Sequence, residues 1–351
     1  MSFQEEKREL IKKYLFEKIR QRDVDFVQKT MENFDISVTT VKRYIKDGLE
    51  NGILRQCKEE VVGYQLVEKS YEFFYDQKEI LSEDNIYTKD IHDIICNTSR
   101  EAQSIWYYTF TEMMNNAIEH SECSEIKCIV RQDYLYTEIS ILDDGIGIYK
   151  KIQDYLEEKL KRSISYSEVL TELYKGKMTT NATNHSGEGI FFTSKVLDEF
   201  AIWSDNAIYS YKCFEREQFV QSHLISYHNK IKNIGTLVVM KLENQTKRTI
   251  KEVFDMFAPM GEGFIKTRIP LKEVCPFAQP VARSQARRLL HRLEEFKQVE
   301  FDFDGVEFMG QGFADEVFRV FQNKYPDIEL IPINACETVM GMIQHVRVNL
   351  I

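Results

Sequence analysis

The chain reads as a multidomain α+β protein. Three observations predict this. Its 351 residues exceed one ordinary domain. Hydrophobic periodicity switches repeatedly between the helical and the strand repeat. Gly-x-Gly turns separate the two kinds of element at 145–147 and 187–189. A composition of 43% hydrophobic and 29% charged residues is that of an ordinary globular chain. The net charge of −10 argues against wholesale coating of nucleic acid.

The first 67 residues predict three helices and a hairpin. Residues 6–19 have an amphipathic helical repeat, and residues 24–34 predict a second helix. Ile36-Ser37-Val38-Thr39-Thr40 opens a third helix, VKRYIKDGLENGIL, with Ser37 as its N-cap. A Gly-containing hairpin follows, ILRQCKEEVVGYQL. This stretch resembles a winged helix-turn-helix, and "SVTTVKRYIKDGLENGIL" carries the likeness. The resemblance implies DNA contacts from Ser37, Thr39, Thr40, Lys42, Arg43 and Lys46, because recognition helices place their early residues on base edges. A winged helix can also dock proteins or dimerise. Residues 1–70 hold 14 Lys and Arg against 13 Asp and Glu, so any basic footprint is local to the third helix. Residues 68–100 are expected to be a helical connector docked on the next domain.

Chemistry concentrates in the centre. Residues 104–119 predict one helix, on which Glu112 and Asn116 lie four apart and share a face. An amide oxygen can ligate Mg²⁺, and a carboxylate beside the metal's waters can act as general base. Tyr136 to Leu142 alternates as a strand and runs into Asp143-Asp144-Gly145-Ile146-Gly147. Asp143 at the strand end can accept a hydrogen bond from an exocyclic amine, with Gly145 and Gly147 letting backbone approach a flat ring. Ser186-Gly187-Glu188-Gly189-Ile190 leads into a predicted helix, FFTSKVLDEF, whose first N–H groups suit phosphate. Each motif alone is weak: a Glu and Asn one turn apart are ordinarily a solvated face, and Gly-x-Gly ordinarily a turn. In this order, on alternating helix, strand and loop, they point to a magnesium nucleotide.

These motifs together resemble the GHKL ATPases (gyrase B, Hsp90, histidine kinases, MutL), and within them the anti-sigma-factor serine kinases. The likeness covers residues 101–246 and implies a Bergerat-type α/β sandwich binding ATP and Mg²⁺. By the resemblance, Glu112 is the general base and Asn116 the magnesium ligand. Asp143 reads adenine with Thr236, of the Gly235-Thr236 strand start, beside it. Gly187 and Gly189 lie on the phosphates, with Glu188 between them in the cofactor site. Residues 149–186 would be a lid, offering Lys175, Lys177, Thr179 and Thr180 to phosphate. His120 and His185 flank the motifs and are ordinarily surface or capping residues. No separate phosphoacceptor-histidine hairpin is seen, which argues against histidine autokinase chemistry. Three functions stay open: an ATPase whose nucleotide state governs its flanking domains, a serine/threonine kinase acting on a partner, or a non-enzymatic ATP-sensing transcription regulator.

After a helix near 249–257, residues 258–351 give an α/β pattern: a helix at 284–296, the strand VEFDFDGVEF, a turn at Met309-Gly310-Gln311-Gly312, the helix FADEVFRVF, the strand IELIPI and a last helix. This resembles a STAS-like domain, related to anti-anti-sigma factors, and implies a protein partner. Those relatives carry a phosphorylatable Ser at the strand-to-helix turn. Here Gly310, Gln311 and Gly312 offer no hydroxyl, which argues against autophosphorylation there. Arg283, Arg287, Arg288 and Arg292 recur at roughly helical spacing, ordinarily a solvated face, with an acidic partner or phosphate as the alternative. Seven scattered cysteines without zinc spacing read as reduced thiols. A charged N-terminal stretch and the lack of any run of about 20 apolar residues predict a cytoplasmic, non-membrane protein. The families it resembles imply a homodimer.

Overall fold

The computed structural model describes residues 3–59, 61–79, 82–178, 187–205, 207–211, 234–275 and 279–348. Among them no helix is long and apolar enough to cross a membrane. The chain is a mixed α/β protein.

Helices α1 (Phe3–Arg20), α2 (Phe26–Phe34) and α3 (Val38–Glu50) precede an antiparallel pair, β1 (Leu54–Gln56) and β2 (Tyr64–Leu66). Ser37 caps α3 by accepting from the Thr40 N–H at 3.3 Å. Val41, Tyr44, Ile45 and Gly48 turn inward on α3, at the three- and four-residue spacing the sequence showed. Val41, Tyr44 and Ile45 join Leu15, Phe16, Phe26 and Leu54 in a core of their own, together with Leu135 from the turn at 133–135. Arg20 pairs with Asp133 at 3.1 Å, and the rings of Phe16 and Tyr134 meet edge-on at 5.3 Å. The N-terminal unit is therefore docked on the turn at 133–135, not tethered loosely.

The central sheet has six strands in the order β3-β4-β5-β8-β6-β7, every neighbouring pair antiparallel. They are β3 (Lys69–Asp76), β4 (Glu125–Gln132), β5 (Tyr136–Asp143), β6 (Glu199–Ser204), β7 (Ala207–Tyr211) and β8 (Thr236–Glu243). The expected helical connector at 68–100 is corrected here: residues 69–76 are β3, the sheet's outer strand. KSYEFFYD alternates, with Tyr71, Phe73 and Tyr75 inward, as a strand with one buried face must. Helix lies instead at 83–95, as α4 (Glu83–Ile86) and α5 (His92–Ile95) joined by a π-helical turn at Tyr87–Ile91.

One sheet face carries α6 (Arg100–His120), α7 (Ile148–Leu160), α8 (Tyr166–Lys175) and α9 (Gly189–Val196). The helix expected over FFTSKVLDEF stops at Val196, because Glu199 and Phe200 already pair with β8. The helix Ile250–Phe257 locks onto this layer through Phe254, stacked 4.0 Å from Phe192.

The C-terminal unit is a parallel sheet in the order β11-β10-β9: β9 (Lys266–Pro270), β10 (Gln298–Asp302) and β11 (Glu329–Ile333). β9 was not anticipated, since KTRIP is short and ends in Pro. The expected helix at 284–296 is Arg283–Leu290 followed by a 3₁₀ turn at Leu293–Glu295, and the last helix is Glu337–Val348. One hydrophobic core runs from Ile86 to Val346, so the central and C-terminal units share an interior.

Candidate active site

A cavity of about 270 Å³ opens between the sheet, α6, α7 and α9. That lies just under the ~300–1,000 Å³ usual for small-molecule sites. Its sheet wall follows from register. Asp143, Thr236 and Ser204 are cross-strand partners on β5, β8 and β6; two residues along, Ile141, Val238 and Ile202 form the next row. Side chains two apart share a face. An apolar row of three branched side chains therefore lies beside a carboxylate–hydroxyl row. Ile148 and Ile152 of α7 add further apolar wall.

From α6 the cavity receives Glu112, Asn116 and His120, one turn apart in succession. From the other side it receives Gly187 and Gly189. A Cβ on Gly189 would stand 2.1 Å from Glu112 Oε2, so a larger residue there would push that carboxylate out of its present place beside the start of α9. Glu112 in turn helps raise the Tyr108 hydroxyl, after burial has done most of it.

Asp143 is 4% exposed. Burial pushes its carboxyl up to about 6, against hydrogen bonds from the Gly145 N–H (2.9 Å) and from Thr236 that favour the charged form. Thr236 Oγ1 also accepts from the Ile148 N–H at 3.1 Å, fixing the start of α7 to β8. The neighbouring Asp144 acts elsewhere. It accepts from the backbone of Ser124 and Glu125 and clamps the start of β4.

The sequence-predicted residues thus separate into two groups. Glu112, Asn116, Asp143, Gly187, Gly189 and Thr236 line the cavity. Gly145, Gly147 and Glu188 are not among its described lining. A Cβ on Gly145 would lie 2.1 Å from Ser121 O, and one on Gly235 2.4 Å from Gly145 O, so these glycines let three loops pack behind the wall. Glu188 is the residue before α9, and its carbonyl accepts from the Phe192 N–H.

The lid cations are placed differently from expectation. Lys175 is buried, bonded to Glu172 Oε1 at 2.7 Å and to the His291 carbonyl. Lys177 donates to the Glu295 carbonyl at 2.9 Å and lies over the Phe296 ring. Both face the C-terminal unit, where the His291 and Glu295 carbonyls accept from them, and Glu172 of α8 is the further acceptor that the buried Lys175 needs. Thr179, Thr180, His185 and Ser186 lie outside the described residues. Lys151 reaches the cavity instead, donating to the His120 carbonyl at 2.8 Å and to Glu122 at 3.1 Å. Its place one turn into the helix after Gly147 was the available signal.

Arg292 ties this site to the C-terminal unit. It donates to the Lys177 carbonyl at 3.1 Å and approaches Met178 Sδ at 3.8 Å, and Met178 lines the cavity. The arginine series is not a free face: Arg283 and Arg287 pair with Asp315 and Glu316, and Arg292 with Glu295 and Glu172.

On α3, Thr39, Lys42, Arg43 and Lys46 are all exposed on one face. The Ser37 and Thr40 hydroxyls bond each other at 3.1 Å and serve the cap.

Residues 285–340 match the model of a family described as a STAS-like domain of unknown function. The match takes in β10, β11 and most of the helices around them, while β9 lies outside it. No curated protein matches the chain. The C-terminal unit therefore carries a STAS-like domain.

Proposed function

We propose that the central unit is a Bergerat-type domain of the GHKL kind, binding Mg-ATP and hydrolysing it slowly, with the flanking units responding to its nucleotide state. One observation carries this reading: residues 112, 116, 143, 187, 189 and 236, drawn from separate segments of the chain, line one cavity. The chemistry of that cavity suits the ligand. A flat base would lie against the Ile141–Val238–Ile202 row, with its exocyclic amine donating to Asp143. The N–H groups around Gly187 and Gly189 and the Lys151 ammonium would meet phosphate oxygens.

Among the described residues no cluster of three or more His, Cys, Asp or Glu could hold a metal by itself. A single amide ligand at Asn116 accords with Mg²⁺, which keeps several waters and shares the substrate's phosphates. Bound there, the ion would supply charge neutralisation for phosphoryl transfer. Glu112 would orient a water and take its proton.

The N-terminal unit would be the winged helix of the arrangement, with the exposed Thr39, Lys42, Arg43 and Lys46 face toward DNA. The Lys175–Met178 stretch, held by the C-terminal unit on one side and lining the cavity on the other, supports the regulatory reading over a free-standing kinase.

Calorimetry with Mg-ATP tests the proposal. Saturable one-site binding is expected, lost in Asp143→Ala and made insensitive to magnesium in Asn116→Ala. Absence of binding in the unaltered protein would remove the central claim.

A pH dependence follows from Asp143. Its folded pKa, raised to about 6, means the carboxylate that accepts from the amine is present above pH 6 and is protonated below it. Nucleotide affinity should therefore fall about tenfold per pH unit below that value. Asp143→Asn should remove the pH dependence along with most of the affinity. A flat affinity profile from pH 7.5 to 5 would contradict the assignment.

A further inference from the structure

β3 has one sheet neighbour, β4, and its other side is an edge. An open groove of about 530 Å³ runs there. It touches all of residues 72–76 on the strand and, opposite, Asn85, Ile86, Lys89 and Asp90 on the helical run at 83–95. Successive strand side chains point to opposite faces, so a space touching five in a row lies along the backbone edge and not over one face. Five residues span about 17 Å. Edge backbone of that length offers N–H and C=O groups to an incoming strand.

The two walls are joined by the Tyr75 hydroxyl, which donates to Asp90 Oδ2 at 3.0 Å. On the core side the strand shows Phe73 and Tyr75, facing Ile86. On the outer side it shows Glu72, Phe74 and Asp76, all exposed.

Charge selects the occupant. Glu72, Asp76, Glu79 and Asp90 line the groove against the lone described cation, Lys89. Glu72 is neutralised by Lys127 at 2.8 Å, which leaves three carboxylates to one ammonium. We propose that this groove takes an extended basic segment of a partner protein as an added seventh strand. Its apolar side chains would alternate over Phe73, Tyr75 and Ile86, and its Lys or Arg side chains would face Asp76 and Glu79. Backbone bonds give such strand addition its affinity, and the alternating side chains its selectivity. A second copy of this chain would bring the same acidic edge, and like charges opposite one another across strands are unfavourable.

The test uses the full chain and a fluorescent octapeptide alternating lysine and valine, followed by anisotropy. Saturable binding is expected, with an alternating glutamate–valine peptide at least tenfold weaker. Two N-methylated forms of the basic peptide, one blocking odd and one even residues, separate strand addition from charge attraction. One form should lose binding and the other keep it, because alternate residues direct their N–H groups to opposite sides. Asp76→Asn with Glu79→Lys, which keeps the acceptor for the Lys78 N–H, should weaken binding about tenfold. No saturable binding, or equal binding by both N-methylated forms, would overturn the proposal. A concentration-dependent dimer abolished by the same two substitutions would assign the edge to self-association and overturn it as well.

Discussion

Glu112→Ala should abolish magnesium-dependent phosphate release, by about 10²–10⁴-fold, while nucleotide affinity changes only a few-fold. The asymmetry comes from position. Glu112 lies on α6 one turn before Asn116 and abuts Gly189 at the start of α9. In the proposed nucleotide complex a carboxylate there would take a proton from water near the terminal phosphate. It would also set negative charge beside the phosphates of that complex, so its removal should not weaken ground-state binding. Glu112→Gln, which keeps the shape, should be equally inactive. Single-turnover phosphate release, read beside equilibrium binding, decides the matter. Loss of binding in parallel with turnover would make Glu112 a structural support; unchanged turnover would show that Glu112 is not the base, and no turnover in the unaltered protein would leave a nucleotide sensor.

Glu172→Ala should cost about 3–5 kcal/mol of stability, the usual penalty for leaving a buried charge without its partner. Lys175 is 1% exposed and Glu172 6% exposed, with Arg292 and His291 completing the cluster at 3.4 Å each. Burial alone would raise the Glu172 carboxyl; the charges of Lys175 and Arg292 and the bonds from His291 and Lys175 outweigh it and hold it at about 2. A depressed carboxylate contributes stability that is complete above its unfolded pKa of 4.5 and lost as pH falls toward 2. Denaturant midpoints of the unaltered protein and Glu172→Gln should accordingly converge between pH 4.5 and 2. Because a buried ion pair is itself weak evidence of stability, Glu172→Leu with Lys175→Met should recover most of the loss. The same variants should weaken nucleotide binding, since Lys175 is three residues from Met178 in the cavity wall. Undisturbed binding in a destabilised Glu172→Ala would confine the cluster to a structural role.

Where sequence reasoning succeeded, the cause was local. The helix bearing Glu112 and Asn116, the strand ending at Asp143 and the cap at Ser37 are each written in periodicity or in one hydrogen-bonding side chain. A helix face or a strand face is decided within about ten residues, so motif spacing nominated Glu112, Asn116, Asp143, Gly187 and Gly189, the family resemblance added Thr236, and all six line one cavity.

Where it fell short, long-range pairing was the cause. Nothing local in KSYEFFYD says that it forms the edge of a sheet whose next strand begins some 50 residues later, and β9 exists as a strand because β10 lies beside it. The resemblance, which makes residues 149–186 a lid over the nucleotide, implied that Lys175 and Lys177 meet phosphate. They turned to Glu172, Glu295 and the C-terminal unit because an ammonium withdrawn from water goes where carboxylates and carbonyls already are. Lys151 reached the cavity by its turn on α7, an orientation set by the Thr236 hydroxyl 88 residues away. Motif, period and cap are short-range properties of this chain and could be read from its residues in order. Partnership, burial and the side to which each charge points depend on segments brought together by a shared hydrophobic core, and only folding assigns them.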